Sequence, residues 1–190
     1  MLMEYKSCAI TGHRPTRFKW KYRENNTGCK RLKKRLHDQF IFLYEQGVRT
    51  FLVGAALGVD LWSGEILLEL KKQPEYNDIH LVVAIPFAGH DEQWDDRSKW
   101  RLERLKKDAE VITVSKQAGA AGYKRRNYYM VDHSDHLLAV YDNTRSLRSG
   151  TGQTVHYAQK KGLLITLIHP DSGKVSYLQE ECHIESMNEI

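Results

Sequence analysis

The sequence predicts an α/β fold: an open, doubly wound, mainly parallel sheet of about six strands with helices on both faces. Three observations carry that prediction. Short apolar runs bounded by turn residues alternate with longer amphipathic segments, the pattern of a buried parallel sheet covered by crossover helices. The runs stay short: 163–168 is far below the ~18 apolar residues of a membrane-spanning helix. Finally, 190 residues with 41% hydrophobic and 28% charged side chains suit a single domain with a substantial core, and exclude a disordered or low-complexity chain.

Taken in order, the predicted strands are 6–11, 50–54, 79–85, 110–114, 136–141 and 163–168. The first intervening helix, 31–46, places Leu32, Leu36, Phe40 and Leu43 on one stripe with lysines and arginines opposite, and Gly47 ends it. Segments 59–72, 92–107, 124–133 and 152–161 read as further helices, with Pro74 and Pro86 punctuating connections. Beyond Pro170, Val175-Ser176-Tyr177 suits a hairpin or an edge strand.

The start, 1–6, lacks the basic, apolar and small-residue pattern of a secretory signal, so a cytoplasmic protein is expected. Cys8, Cys29 and Cys182 are odd in number and far apart, without paired CxxC spacing, and read as reduced thiols. The net charge of +5 attracts polyanions only modestly, because 24 acids are interspersed among 29 bases.

Open sheets of this kind bind ligands beyond the carboxyl ends of their strands. The unusual residues fall there. The first strand runs into Thr11-Gly12-His13-Arg14-Pro15, where a planar guanidinium and a close-approach glycine suit an anion, although a tight turn with a surface arginine uses the same residues. His13 is either an acid–base group or a hydrogen-bonding one. The second strand runs into Gly54-Ala55-Ala56-Leu57-Gly58-Val59-Asp60 and straight into a helix, where small residues let a ligand lie against free N–H groups. Asp60 either stabilises the first helical turn or contacts a ribose hydroxyl or base. Pro86 and Phe87 follow the third strand, with Phe87 either flanking a purine or capping the core.

After the fifth strand, Arg148-Ser149-Gly150-Thr151-Gly152-Gln153-Thr154 opens a helix, a cradle for phosphate or simply a flexible turn with a Ser or Thr N-cap. Neither of the common glycine-rich nucleotide fingerprints is present. Asp132, His133, Asp135 and His136 straddle a helix–strand junction and favour turn and strand-entry roles over a metal. No metal site is expected. The cluster Lys30, Arg31, Lys33, Lys34 and Arg35 reads as a solvated helix face, with nucleic-acid contact the minority alternative.

Together these motifs resemble the YpsA-like family of the SLOG superfamily, related to the Lonely guy and DNA-processing protein A groups. The resemblance covers about residues 7–168. It rests on Ile10-Thr11-Gly12-His13-Arg14-Pro15, Gly54 to Asp60, Ile85-Pro86-Phe87, Arg126 to Asp132 with Ser134-Asp135, and Ser149 to Thr154 with Tyr157-Ala158. It implies a Rossmann-like fold, a C-terminal extension over 169–190, and a pocket for a nucleotide or nucleotide derivative of the ADP-ribose or NAD kind.

On that basis Thr11, Gly12 and Arg14, with Ser149, Gly150 and Thr151, are expected to hold phosphates. His13, Gly152 and Thr154 complete those loops, Gly54, Ala55, Gly58 and Asp60 supply close packing and ribose contacts, and Pro86 and Phe87 border the base. Binding or sensing is the preferred reading, and no cofactor beyond that nucleotide-type ligand is called for. The alternative is hydrolysis of a nucleotide N-glycosidic bond by Asp60 or His13. Lonely guy enzymes, which catalyse that reaction, carry a glutamate after their glycine motif, where this chain has Gly150-Thr151-Gly152-Gln153-Thr154-Val155-His156. A third reading is a single-stranded DNA-binding module using Lys33 and Lys34, with Tyr123, Tyr128 and Tyr129 as candidate stacking residues. The resemblance also implies self-association as a homodimer.

Overall fold

The structure, a computed structural model, describes residues 6–143 and 149–178. Arg148, Cys182 and most of the C-terminal extension lie outside the described residues. Twelve principal elements alternate along the chain: β1 (Lys6–Gly12), α1 (Thr27–Glu45), β2 (Val48–Gly54), α2 (Val59–Lys71), β3 (His80–Ile85), α3 (Asp96–Lys107), β4 (Glu110–Thr113), α4 (Gly119–Asp132), β5 (His136–Val140), α5 (Gly150–Lys160), β6 (Leu164–Ile168) and β7 (Val175–Leu178).

The strands form one seven-stranded sheet in the order β4-β3-β2-β1-β5-β6-β7. All pairs are parallel except β6 with β7, so the expected count of about six strands rises to seven and the segment at Val175 is an antiparallel edge strand. This is a Rossmann-like doubly wound sheet. Its chain order reverses at β1, which has β2 on one side and β5 on the other. At such a switch point the crossover loops leave in opposite directions, opening a crevice at the carboxyl ends of the two strands.

The period of two along each strand sorts side chains into two cores. Cys8, Ile10, Phe51, Val53, Leu138 and Val140 face the layer that includes Leu36 and Phe40 of α1, Trp62 and Leu67 of α2, and Leu102 of α3. Ala9, Leu52, Ala84, Leu137 and Ala139 face the other layer, with Met130 of α4 and Val155 of α5. Alanines at three of those five sheet positions leave room for α4 and α5 to approach closely.

The helix ends explain where local expectation slipped. Helix α3 begins at Asp96 rather than 92, because the carboxylate of Asp95 accepts the Ser98 amide at 3.0 Å and so sets the N-cap. Residues ahead of it form turns instead, with Trp94 N–H donating to the Asp91 carbonyl at 2.9 Å. Helix α4 starts earlier than expected, at Gly119, behind an N-cap alanine that makes no side-chain capping bond and so leaves no polar signal in the sequence. No helix of the described residues is long and apolar enough to cross a membrane.

Cys8 and Cys29 are buried, unpaired thiols, and burial pushes Cys8 up to about 12. The residues at the α4–β5 junction are engaged locally. Asp132 accepts from Lys161 at 3.0 Å and from Tyr157 at 2.9 Å, while Asp135 accepts the Ser7 amide at 2.9 Å.

Candidate functional site

A cleft of about 350 Å³ lies over the switch point. Four segments distant in sequence build it. The first follows β1 and contributes Thr11, Gly12, His13 and Arg14, continuing through Thr16 and Arg17 in a short 3₁₀ turn. The second is the start of α5, with Ser149, Gly150 and Thr151. The third is α4, which lowers Tyr123, Arg126 and Asn127 into the opening, while Ala56 and Asp60 close it from the β2–α2 side.

The α5 terminus is both a cap and a cradle. Ser149 is the N-cap, its hydroxyl accepting the Gly152 amide at 3.0 Å, and its carbonyl accepts from Gln153. The Thr154 hydroxyl donates back to the Gly150 carbonyl at 2.8 Å, so it serves the helix and does not line the cleft. The amides of Gly150 and Thr151 belong to the first turn, which has no intrahelical acceptor, and they add the positive end of the dipole to the cleft wall.

Charge in the cleft is unbalanced. Arg14, Arg17 and Arg126 line it, against Asp60 as the only carboxylate among its lining residues. Arg126 and Asp60 form a buried ion pair, Nη1 to Oδ2 at 3.0 Å, with side chains 6% and 8% exposed. Burial outweighs the attraction of Arg126 and Arg14 and pushes the Asp60 carboxyl up to about 6. The Arg126 Nε is buried without a hydrogen-bond partner, as is the His13 Nε2. Burial, helped by Arg17, holds His13 below its ordinary pKa despite Asp142, which keeps the imidazole neutral near pH 7. Its ring lies edge-on to Tyr141 at 5.9 Å.

Glycines make this packing possible. A Cβ on Gly54 would collide with the Arg126 guanidinium and the Asp60 carboxylate, so Gly54 is the seat of the ion pair. Gly58 has φ +91°, and a Cβ there would sit 2.8 Å from the His13 carbonyl. It therefore both turns the chain into α2 and admits the β1 loop against it. A Cβ on Gly152 would meet the Tyr141 hydroxyl at 2.8 Å.

The YpsA family model, described as the YspA SLOG family, matches residues 8–172. The chain belongs to this SLOG family. Among its relatives, a UPF0398 protein of Bacillus cereus is 31% identical over 160 residues, spanning 83% of this chain and 84% of its own. A UPF0398 protein of Staphylococcus epidermidis is 28% identical over 141 residues, 73% of each chain. Among solved structures, the chain superposes with a TM-score of 0.56 at 16% identity on DNA processing protein A from Helicobacter pylori, described for its single-stranded DNA binding mode. That match covers 85% of this chain and 64% of the other, so the chain spans less than two thirds of that protein, and the likeness is one of fold.

Within this SLOG chain, Thr11, Gly12, His13, Arg14, Asp60, Ser149, Gly150 and Thr151 come together in the cleft. Gly54, Ala55, Gly58, Gly152 and Thr154 do not line it: Gly54 seats the Arg126–Asp60 pair, Gly58 packs on the His13 carbonyl, and Ala55 lies in the hydrophobic core. Pro86 is buried, its carbonyl accepting the Ser115 amide at 3.0 Å. Phe87 lies apart from the cleft lining, packed under Gly122 and edge-on to Tyr123 at 5.3 Å, so Tyr123 is the aromatic side chain that reaches the opening. None of Lys30, Arg31, Lys33, Lys34 and Arg35 lines the cleft; Lys33 pairs with Glu24 at 2.6 Å and Lys34 with Asp38 at 3.2 Å.

Arg126 is the residue that motif reasoning left without a role. A signal for it existed. Gly122, Arg126 and Met130 recur every four residues on the buried side of α4. An arginine in phase with an apolar stripe must meet a partner at depth, because burying a lone guanidinium is prohibitive.

Proposed function

We propose that this protein binds a phosphorylated, nucleotide-derived ligand of the ADP-ribose or NAD class in the switch-point cleft. Phosphate oxygens take the Gly150 and Thr151 amides and the Arg14 guanidinium, with Thr11 and Gly12 lining the near wall. The observation that carries this reading is the surplus of positive charge: three arginines and a helix N-terminus converge on a cleft whose lining has one carboxylate, itself committed to Arg126. An anion balances that surplus, and the unpartnered His13 and Arg126 nitrogens indicate polar capacity left over from folding. Isothermal titration with ADP-ribose, NAD and AMP tests it. Binding that Arg14→Ala weakens at least tenfold is expected, as loss of a charge-assisted contact costs about 1.5 kcal/mol or more; no heat from any of the three ligands sinks the reading.

A second reading has one observation behind it. Asp60 is the carboxyl that lines the cleft, 3.0 Å from the Arg126 guanidinium, and burial raises it above the ordinary carboxylate range, a placement that suits an acid–base group. Hydrolysis of an N-glycosidic bond would then release free base from AMP or NAD. Chromatography of the titrated mixtures separates the two readings: intact nucleotide after prolonged incubation leaves binding, and released base that Asp60→Asn abolishes establishes hydrolysis. The likeness to DNA processing protein A adds a single-stranded oligonucleotide to the ligands titrated, at two salt concentrations.

A further inference from the structure

The cleft continues past Arg14. A second lobe of about 560 Å³ adjoins it, with Arg14, Thr16, Ala56 and Tyr123 as shared walls. The two lobes differ in chemistry. Guanidinium groups and the α5 amides dominate the first, whereas Tyr22, Tyr123, His90 and Trp94 line the second. The carboxylate in the second lobe, Asp95, is already engaged as the N-cap of α3.

This aromatic wall is braced from behind. Tyr123 meets Phe87 at 5.3 Å, Phe87 meets His90 at 6.2 Å and His90 meets Trp94 at 5.6 Å, each edge to face. Trp94 also packs on the hydrophobic core, while Tyr22 across the lobe is 61% exposed. Phe87 thus holds the wall in position without lining the lobe.

We infer that the second lobe is a base-binding subsite, taking the planar heterocycle of a ligand whose phosphates lie in the first lobe; the inference rests on the phosphate-anchoring function proposed above. A heterocycle offers a π face that Trp and Tyr stack on regardless of base identity. The same ring in the first lobe would desolvate the exposed Arg14 and Arg17 without replacing their hydrogen bonds. Arg14 lines both lobes and stands 5.0 Å from the Tyr123 ring, at the passage between the base-bearing and phosphate-bearing parts. The ligand class is accordingly one with a base and a phosphate joined by a sugar, rather than a sugar phosphate or inorganic anion.

Calorimetric titration of ADP and of pyrophosphate against the full chain and three variants tests this. The wild type is expected to prefer ADP by about tenfold or more, within the range of base stacking on an aromatic side chain. Trp94→Ala removes most of that preference, Tyr22→Ala reduces it from the exposed side where folding is not at stake, and Trp94→Phe retains most of it because a ring remains. A wild type that binds both ligands equally, or a preference that survives both alanine variants, overturns the base subsite while leaving the phosphate anchor standing. Failure of both ligands to bind the wild type overturns the anchor and the subsite together.

Discussion

The arginine–carboxylate clusters around Arg101 and around Arg126 are built to opposite standards. On the α1–α2–α3 side, Arg101 is saturated: its Nε and Nη2 each donate to Glu65 at 2.6 Å, and Nη1 and Nη2 donate to Glu24 at 2.6 and 3.2 Å. Lys33 adds a further bond to Glu24. Burial would raise the Glu24 carboxyl, but the Arg101 and Lys33 hydrogen bonds prevail and hold it down at about 2. In the cleft, Arg126 makes one ion-pair contact to Asp60, leaves its Nε unpartnered, and cannot keep the Asp60 carboxyl from rising. The saturated cluster ties three segments together. The unsaturated one retains donor capacity and a titratable acid beside a cavity, which is the arrangement expected of a site rather than a brace.

Breaking each cluster at its arginine should separate the two roles. Arg126→Met should cause the largest change, lowering ADP-ribose affinity at least a hundredfold and stability by about 3 kcal/mol as Asp60 is left buried without a partner. That loss should shrink as pH falls, because without Arg126 the Asp60 carboxyl rises still further and takes up a proton. Urea unfolding at pH 5 and pH 8 checks this, and an equal destabilisation at both pH values contradicts it. Arg101→Met should cost about 2 kcal/mol, because water can partly reach the two glutamates it abandons, while ADP-ribose affinity stays within about twofold. A large affinity loss there would erase the contrast.

The pH dependence sharpens it further, since the two carboxylates act with opposite sign. Glu24, lowered on folding, contributes stability that is present above about pH 4.5 and lost as pH falls towards 2. Asp60, raised on folding, contributes stability that is present below about pH 3.8 and lost as pH rises through about 6. Thermal unfolding across this range should accordingly show a shallower acid-side decline for Glu24→Gln and a smaller drop between pH 4 and 7 for Asp60→Asn; unchanged profiles in both variants would refute the assignment. The smallest effect belongs to Ser149→Ala, which removes the α5 cap at a cost of about 1 kcal/mol and loosens the Gly150 and Thr151 amides, visible as a modest loss of both Tm and ADP-ribose affinity.

Much of the molecule was legible in the residues themselves. Strand and helix periods are local, so the βα alternation is readable along the chain, and glycines and hydroxyls at strand ends announce the loops after β1 and β5. Helix starts were less so: α2 begins where expected, at Val59, without a side-chain cap, whereas α1 begins at Thr27 behind its Asn26 cap, four residues ahead of the expected 31. Asp95 marks one but lies within a stretch whose acidic residues all suit a first turn, and Ala118 marks none.

What the sequence determined by itself is therefore the βα alternation of a doubly wound sheet and the small and polar loops that follow its strands, because both follow from backbone and patterning within a few residues. What only the tertiary structure decided is which side chains meet across that edge: that Arg126 seats on Gly54 and pairs with Asp60, 66 residues away, and that Tyr123 rather than Phe87 reaches the cleft. Such pairings depend on how α4 settles on the sheet, and close packing of that helix against small residues is a property of the assembled layers rather than of any one segment.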